Sequence, residues 1–157
     1  MTNKKTIGIT GAGGSLGKAL TKKFSSHGFK IISFTHNKNC QELFEEGPNE
    51  WIYWECGKES LLENSLSKID ILILNHGIYD SKQDVEKSIE INANSKIKIL
   101  RLFEKISLSQ SINSSPKEIW INTSEAEILP ALNPCYEISK SLIGQVVTFK
   151  KNFNNQN

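Results

Sequence analysis

The stretch Ile7-Gly8-Ile9-Thr10-Gly11-Ala12-Gly13-Gly14-Ser15-Leu16-Gly17 constrains this chain more than any other. A β-branched run leads into a glycine-rich turn, and residues at helical spacing follow from Ser15, so the segment predicts a buried strand, a tight turn and a helix. Small residues in the turn let the backbone come close to a phosphate, and the N–H groups and positive dipole end of the helix complement its charge. A Cβ at Gly14 or Gly17 is expected to obstruct that approach, or the packing of helix on strand. The spacing Thr-Gly-x-x-Gly-x-x-Gly differs from the commoner G-x-G-x-x-G. Glycine turns of this kind also join strands to helices that hold no ligand, so the segment alone leaves both readings open.

A chain of 157 residues, 38% hydrophobic and 23% charged, can bury one core and reads as one domain. The net charge of +2 is too mild, and too evenly spread, to point to nucleic acid. A small-molecule partner is expected instead. Cys40, Cys56 and Cys135 are odd in number and lack a C-x-x-C, so the chain indicates neither a disulfide framework nor a metal site, and a cytoplasmic setting fits. The N-terminus leads straight into a strand, and no run approaches the roughly 18 apolar residues of a membrane helix. No export signal and no membrane anchor are therefore expected.

Taken in order, Thr6–Thr10 predicts the first strand, and Leu16, Leu20, Phe24 and His27 carry a helix to Gly28. Phe29–Thr35 predicts a second strand, Gln41–Glu46 a short helix ending at Gly47-Pro48, Trp51–Trp54 a third strand and Glu59–Ser67 another helix. Asp70–Leu74 is apolar on every position after Asp70, as expected of a parallel strand covered on both faces. A long helix is predicted from Val85 to Leu108, a fifth strand over Lys117–Thr123 and a last helix from Cys135 to Phe153. Five alternations of β and α predict an α/β doubly wound parallel sheet of the Rossmann type with strand order 3-2-1-4-5. The domain is expected to span residues 1–153, with 154–157 as a disordered tail.

Tyr136 and Lys140 are four residues apart, hence on one face of one helix. A phenol is too weak an acid for proton transfer near neutrality unless a fixed positive charge stands beside its phenolate, and this spacing offers one. Ser124, at the end of the fifth strand, offers a hydroxyl to a substrate oxygen. Each feature also has an ordinary reading. A Tyr/Lys pair is usually a helix-surface pair, and a Ser after a strand is usually a cap or turn.

Together these pieces resemble the short-chain dehydrogenase/reductase family. Thr10–Gly17 is similar to its cofactor turn, and Asn75-His76-Gly77 resembles its Asn-Ala-Gly. Ile91-Asn92 resembles the helix Asn whose carbonyl holds a water of the proton relay. Ile121-Asn122-Thr123-Ser124 resembles the strand that ends in the catalytic Ser, and Tyr136 to Lys140 its Tyr-x-x-x-Lys pair. The resemblance implies an oxidoreductase moving a hydride between a nicotinamide cofactor and a small-molecule carbonyl or alcohol. Asn92, Ser124, Tyr136 and Lys140 would form the catalytic set. Cofactor binding would fall to Gly11, Gly13, Gly14, Ser15, Leu16 and Gly17, to His36, to Glu55 and Cys56 beside adenine, to Asn75 and Gly77 along the adenosine ribose, and to Tyr136 and Lys140. Glu55 reads equally well as a solvated strand end, and Asn92 as an ordinary polar helix position.

The second strand ends without the Asp or Glu that bonds the ribose 2′-hydroxyl of NAD. Thr35-His36-Asn37-Lys38 suits a 2′-phosphate, so NADP(H) is favoured over NAD(H). Three departures from the family pattern stand out: the bulky His76, the carboxylates Glu125 and Glu127 after Ser124, and an end to the chain just past the Tyr-x-x-x-Lys helix. The family continues with further strands and helices over the substrate. The expectation is therefore a sheet lacking the family's last strands, with an open fifth-strand edge, a tendency to homo-oligomerise and little turnover alone. The alternative is a non-catalytic NAD(P)-binding sensor or partner-binding module, or an inactive fragment of a longer enzyme.

Overall fold

In the computed structural model, residues 4–39, 48–110 and 116–154 are described. The expected helix over Gln41–Glu46 lies outside them. The strands are β1 (Thr6–Thr10), β2 (Lys30–Thr35), β3 (Glu50–Tyr53), β4 (Ile71–Leu74) and β5 (Glu118–Ile121). They form one parallel sheet in the order β3-β2-β1-β4-β5, the predicted 3-2-1-4-5. The helices are α1 (Ser15–Ser26), α2 (Glu63–Ser67), α3 (Val85–Ile89), α4 (Ser95–Ser109) and α5 (Pro134–Asn154). Helix α5 runs one residue into the segment expected as tail, and 155–157 lie outside the described residues.

The chain divides into two compact units, Met1–His76 with Lys98–Asn122, and Gly77–Ile97 with Thr123–Asn157. In the first, side-chain alternation along each strand builds a core on both faces of the sheet. Ile7, Ile9, Ile31, Ile71 and Ile73 point to the face where Leu20 and Phe24 of α1 pack. Ile32, Phe34, Leu72 and Leu74 point to the other, against Leu66 of α2 and Leu100, Phe103 and Ile106 of α4. Double coverage is the physical reason β4 reads as an unbroken apolar run, since both of its faces are shielded from water.

Helix α1 stops by backbone bonding around Gly28, whose φ of +80° is the left-handed conformation glycine adopts without strain. Phe29 N donates to Phe24 O and Gly28 N to Ser25 O, while the Phe24 and Phe29 rings meet edge to face at 5.8 Å. This cap takes Phe29 out of the strand that the sequence assigned it to, and β2 begins at Lys30.

The long helix predicted from Val85 to Leu108 is one helical path with a wide turn inside it. Asp84 caps its start, accepting from Lys87 N at 2.9 Å, but Glu90–Asn94 winds as a π-helical turn before α4 begins. The predicted helix over Glu59–Ser67 likewise opens as a 3-10 turn, Glu59–Leu62. In the second unit α3 and the π turn pack on α5, which starts at Pro134 with Asn133 Oδ1 accepting from Tyr136 N at 3.1 Å.

Candidate active site

The β1–α1 turn is built for close approach. Gly11 has a φ of +65°, and a Cβ there would lie 2.7 Å from the His76 backbone. Gly17 presses α1 against the turn, where a Cβ would meet Gly11 O at 2.2 Å. Gly14 differs: within 4 Å its Cβ would meet Gly11 O alone, at 3.4 Å, among the described residues. Among the described residues the packing does not demand glycine there, and the place a Cβ would take is open. Gly14 is also the N-cap of α1, with no capping side-chain bond and no acid in the first turn. The open space and the uncapped helix end suit a pyrophosphate, so Gly11, Gly13, Gly14, Ser15, Leu16 and Gly17 fit a dinucleotide.

Beside the turn, where strand order reverses between β1 and β4, Thr10 ties the two strand ends together. Its Oγ1 accepts from Asn75 N at 2.9 Å and His76 N at 3.3 Å, and lies 2.8 Å from His76 Nδ1. Asn75 donates to Gly11 O at 3.5 Å and accepts from Asn122 Nδ2 at 3.0 Å. His76, bulky where the family carries a small residue, is buried with its ring edge-on to Trp54 at 5.3 Å. A core position on the Trp54 side accommodates it. The Thr-Gly pair in the sequence marks the Thr10 clasp, but its partners 65 residues away are visible only in the fold.

After β2, Asn37 N donates to Thr35 Oγ1 and Asn39 N to Asn37 Oδ1, so two of the four proposed phosphate ligands shape the turn. His36 is exposed, and the Lys38 ammonium sits 4.9 Å from the Tyr53 ring centroid. Glu55 accepts from the Tyr53 hydroxyl at 2.6 Å and from Lys58 Nζ at 2.9 Å; the Tyr53 bond first, then Lys58, hold its carboxyl below the usual range. Cys56 packs at the margin of the core.

In the second unit, Tyr136 and Lys140 share a face of α5, with Lys140 Nζ 5.4 Å from the Tyr136 ring centroid. Lys140 is buried, and Tyr136 is half-buried with its ring tilted against Tyr79 at 5.4 Å. Ser124 caps the 3-10 turn Glu125–Glu127: its Oγ accepts from Ala126 N at 3.3 Å and its N–H donates to Glu127 Oε1 at 3.4 Å. The cap uses the oxygen of Ser124 as acceptor and leaves its O–H to donate. Glu127, flagged in the sequence as an anomalous carboxylate, completes this box.

Asn92 is fully buried in the π turn. Its Oδ1 accepts from Ile78 N at 2.7 Å, and its Nδ2 donates to Ile78 O and to Ser139 Oγ, each at 2.9 Å. This side chain bolts the loop after Gly77 to α5, so the plain polar-position reading does not describe it. At Gly77 a Cβ would lie 2.8 Å from Asn92 Oδ1 and 3.6 Å from Lys140 Nζ. Gly77, Asn92, Tyr136 and Lys140 are thus neighbours, while Ser124 is engaged within its own turn. Lys96, whose only signal in the sequence is a lysine among the apolar positions of a helix, is fully buried; burial first, and the Lys140 charge second, push its ammonium down to about 7.

The model of the NAD dependent epimerase/dehydratase family matches residues 7–148. The chain belongs to that family. It is the extended form of the short-chain dehydrogenase/reductase group that the motifs resemble, and an NAD(P)-binding family. Monoglucosyldiacylglycerol epimerase of Synechocystis sp. is 36% identical to this chain, over 94% of it and 37% of the relative's own length. The chain thus spans well under half of that relative. Serine dehydrogenase from Escherichia coli superposes with a TM-score of 0.78 at 20% identity, over 94% of this chain and 75% of that one. A metagenomic short-chain oxidoreductase in complex with NADP superposes at 0.79 with 17% identity, over 97% and 77%. These two likenesses establish the fold. No described helix is long and apolar enough to cross a membrane.

Proposed function

We propose that this chain is an NAD(P)-dependent oxidoreductase acting at a carbinol or carbonyl carbon of a small molecule. The observation that carries this reading is the Lys140 ammonium buried 5.4 Å from the Tyr136 ring, on the face of α5 that the sequence spacing selects. When bound, the nicotinamide supplies or takes up the hydride. Tyr136 gives or takes the hydroxyl proton, and Lys140 places positive charge beside the phenol as negative charge develops on its oxygen. Ser124 donates its free O–H to the substrate oxygen. Asn92 holds the loop after Gly77 and α5 in register, so its role is to position. A purely non-catalytic binding module is not favoured, because the family match and this set of side chains coincide.

For the cofactor we propose NADP(H), on the exposed His36, the nearby Lys38 and the absence of an acid at the end of β2. NADPH is expected to quench Trp51, Trp54 and Trp120 fluorescence and raise the melting temperature more than NADH, with a preference that shrinks at high salt. Gly14→Val is expected to abolish both signals while the protein stays folded. Absence of either signal with both cofactors sinks the reading, and tighter NADH binding sinks the NADP preference.

The likeness to monoglucosyldiacylglycerol epimerase favours a second reading, inversion of a sugar carbinol on a glycosylated diacylglycerol. An epimerase uses the same proton-transferring residues twice and leaves the cofactor unchanged overall. Incubation with monoglucosyldiacylglycerol separates the two: epimerisation yields a new glycolipid with constant absorbance at about 340 nm, whereas net oxidation changes that absorbance in step with product. Self-association, common among such enzymes, is also proposed here, and light scattering measures it.

A further inference from the structure

We propose that Asn133 is a positioning residue for Tyr136: its side-chain amide joins the loop that carries Tyr79 to the first turn of α5 and so sets the Tyr79 ring against the Tyr136 ring. The inference rests on the role proposed above for Tyr136. Asn133 is buried, and both ends of its amide are used. Its Oδ1 accepts from Tyr136 N at 3.1 Å, and its Nδ2 donates to Asp80 O at 2.8 Å. An N–H on one side and a carbonyl on the other fix which way the amide points. Capping a helix needs only the acceptor, which Ser, Thr or Asp supplies as well as Asn. The donor end is the part that the helix start does not explain, and among these caps Asn is the one that sets a donor on a separate atom from its acceptor.

Tyr79 stands between two tied neighbours. Ile78 is held by Asn92, which accepts from its N–H at 2.7 Å and donates to its carbonyl at 2.9 Å. Asp80 is held by Asn133. The Asp80 carboxylate turns the chain beyond it, accepting from Lys82 N at 3.4 Å and Asp84 N at 3.3 Å and lying 3.7 Å from Lys87 Nζ. Gln83 takes a φ of +54°, uncommon outside glycine. Its N–H donates to Asp80 O at 3.1 Å, and its carbonyl accepts from Cys135 Sγ at 3.0 Å. Two carbonyls of one loop are thus bonded to residues 133 and 135, at the start of the helix that bears Tyr136. The consequence shows in Tyr79, which is 61% exposed and yet lies ring on ring with Tyr136 at 5.4 Å. A surface side chain ordinarily hops between rotamers, and here the backbone on both sides of it is tied down. Tyr136 gains a neighbour that limits where its phenol oxygen can move, which is what a proton-transferring group requires of its surroundings.

The test uses the full chain with 13C-labelled tyrosine rings, observed by NMR without cofactor or substrate. Tyr53, Tyr79 and Tyr136 are its three tyrosines, and Tyr53→Phe and Tyr79→Leu supply the assignments. A nuclear Overhauser cross-peak between the Tyr79 and Tyr136 rings is expected in the wild type. Tyr79→Leu removes the neighbouring ring current and shifts the Tyr136 signal. Asn133→Ser keeps a capping oxygen but gives up the arm to Asp80, so it is expected to lose the cross-peak and shift the Tyr136 signal in the same direction. Tyr79→Phe keeps the ring and restores the wild-type Tyr136 signal. With Asn133→Ser and Tyr79→Leu combined, the Tyr136 signal is expected to match Tyr79→Leu alone, because both remove one contact. If Asn133→Ser fails to fold, Asn133→Asp replaces it, since a carboxylate also caps and suits the helix N-terminus. A wild-type chain without the cross-peak, or a folded Asn133 variant whose Tyr136 signal is unmoved, overturns the proposal. In turnover, Asn133→Ser and Tyr79→Leu are each expected to lower kcat about tenfold with KM changed less than about twofold, and the double variant to fall no further. An Asn133 that served the helix start alone would lower stability and leave both kcat and the Tyr136 signal where they were. Rings that respond as expected in a chain that binds neither NADPH nor NADH refute the oxidoreductase reading alone, because the ring contact is measured without cofactor.

Discussion

Gly14 and Gly17 carry the same residue type for different reasons. At Gly17 the added Cβ collides with backbone that cannot move aside, so Gly17→Ala is expected to cost about 1–3 kcal/mol in urea denaturation. Gly14→Val adds a Cβ without a clash among the described residues but puts a poor N-cap residue at the start of α1, so a stability cost of about 0.5–1 kcal/mol is expected while cofactor binding is lost. A Gly14→Val variant as unstable as Gly17→Ala would place Gly14 with the packing glycines. Thr10 is a third residue-scale case, since its single oxygen serves Asn75 N, His76 N and the His76 ring. Thr10→Val keeps the shape but strands those donors, at an expected cost of about 1–3 kcal/mol read from the shift in urea midpoint.

Among elements, the π turn Glu90–Asn94 decides most for the candidate site. A regular helix advances 100° per residue, and widening one turn shifts which side chains face α5. The turn delivers Asn92 to three partners at once, on the loop at Ile78 and on α5 at Ser139. Asn92→Ala removes all three and leaves the Ile78 N–H and C=O without that partner, so a loss of about 2–4 kcal/mol is expected from a few such bonds together. Hydrogen exchange of the amides around Ile78 and at the start of α5 is expected to rise, and unchanged exchange there would show that the bolt is not holding the loop. Asn92→Asp is the informative companion, because one carboxylate oxygen can still accept from Ile78 N while the other, in place of Nδ2, cannot donate to Ile78 O or Ser139 Oγ.

For the whole molecule, buried lysines tilt stability with pH. Lys96 binds its proton near 7 in the folded chain and near 10.5 when exposed, so between those values the unfolded chain holds more protons. Stability is then lost as pH falls from about 10.5 to about 7 and is level below that. Burial also lowers Lys117, whose ammonium donates to Ser67 O and Ile69 O, and it acts in the same direction. Lys5 and Lys58, raised by Glu118 and Glu55, are exposed and act only above the usual lysine value. Urea denaturation from pH 7 to 9.5 is expected to show stability rising by up to about 1.4 kcal/mol per pH unit for one linked proton. Lys96→Met is expected to flatten that rise and raise stability at pH 7. A flat wild-type profile would mean that Lys96 stays protonated in the fold.

Local pattern alone carried the sheet. The apolar run of β4, the β-branched β1, the glycine turn and five β/α alternations specify a strand order through short-range chirality and coverage, and the order formed is the one they predict. Tyr136 and Lys140 were legible for the same reason, since a spacing of four on a helix is a local fact. What the sequence could not contain were relations set by pieces distant in the chain. The π turn has no local signature, the Thr10 clasp joins strands 65 positions apart, and His76 looks like an anomaly until Trp54 is beside it. Lys96, a lysine among the apolar positions of a helix, is fully buried, which its charge alone does not announce. Whether a polar group is solvated or enclosed depends on what covers it, and that is decided only when the elements pack.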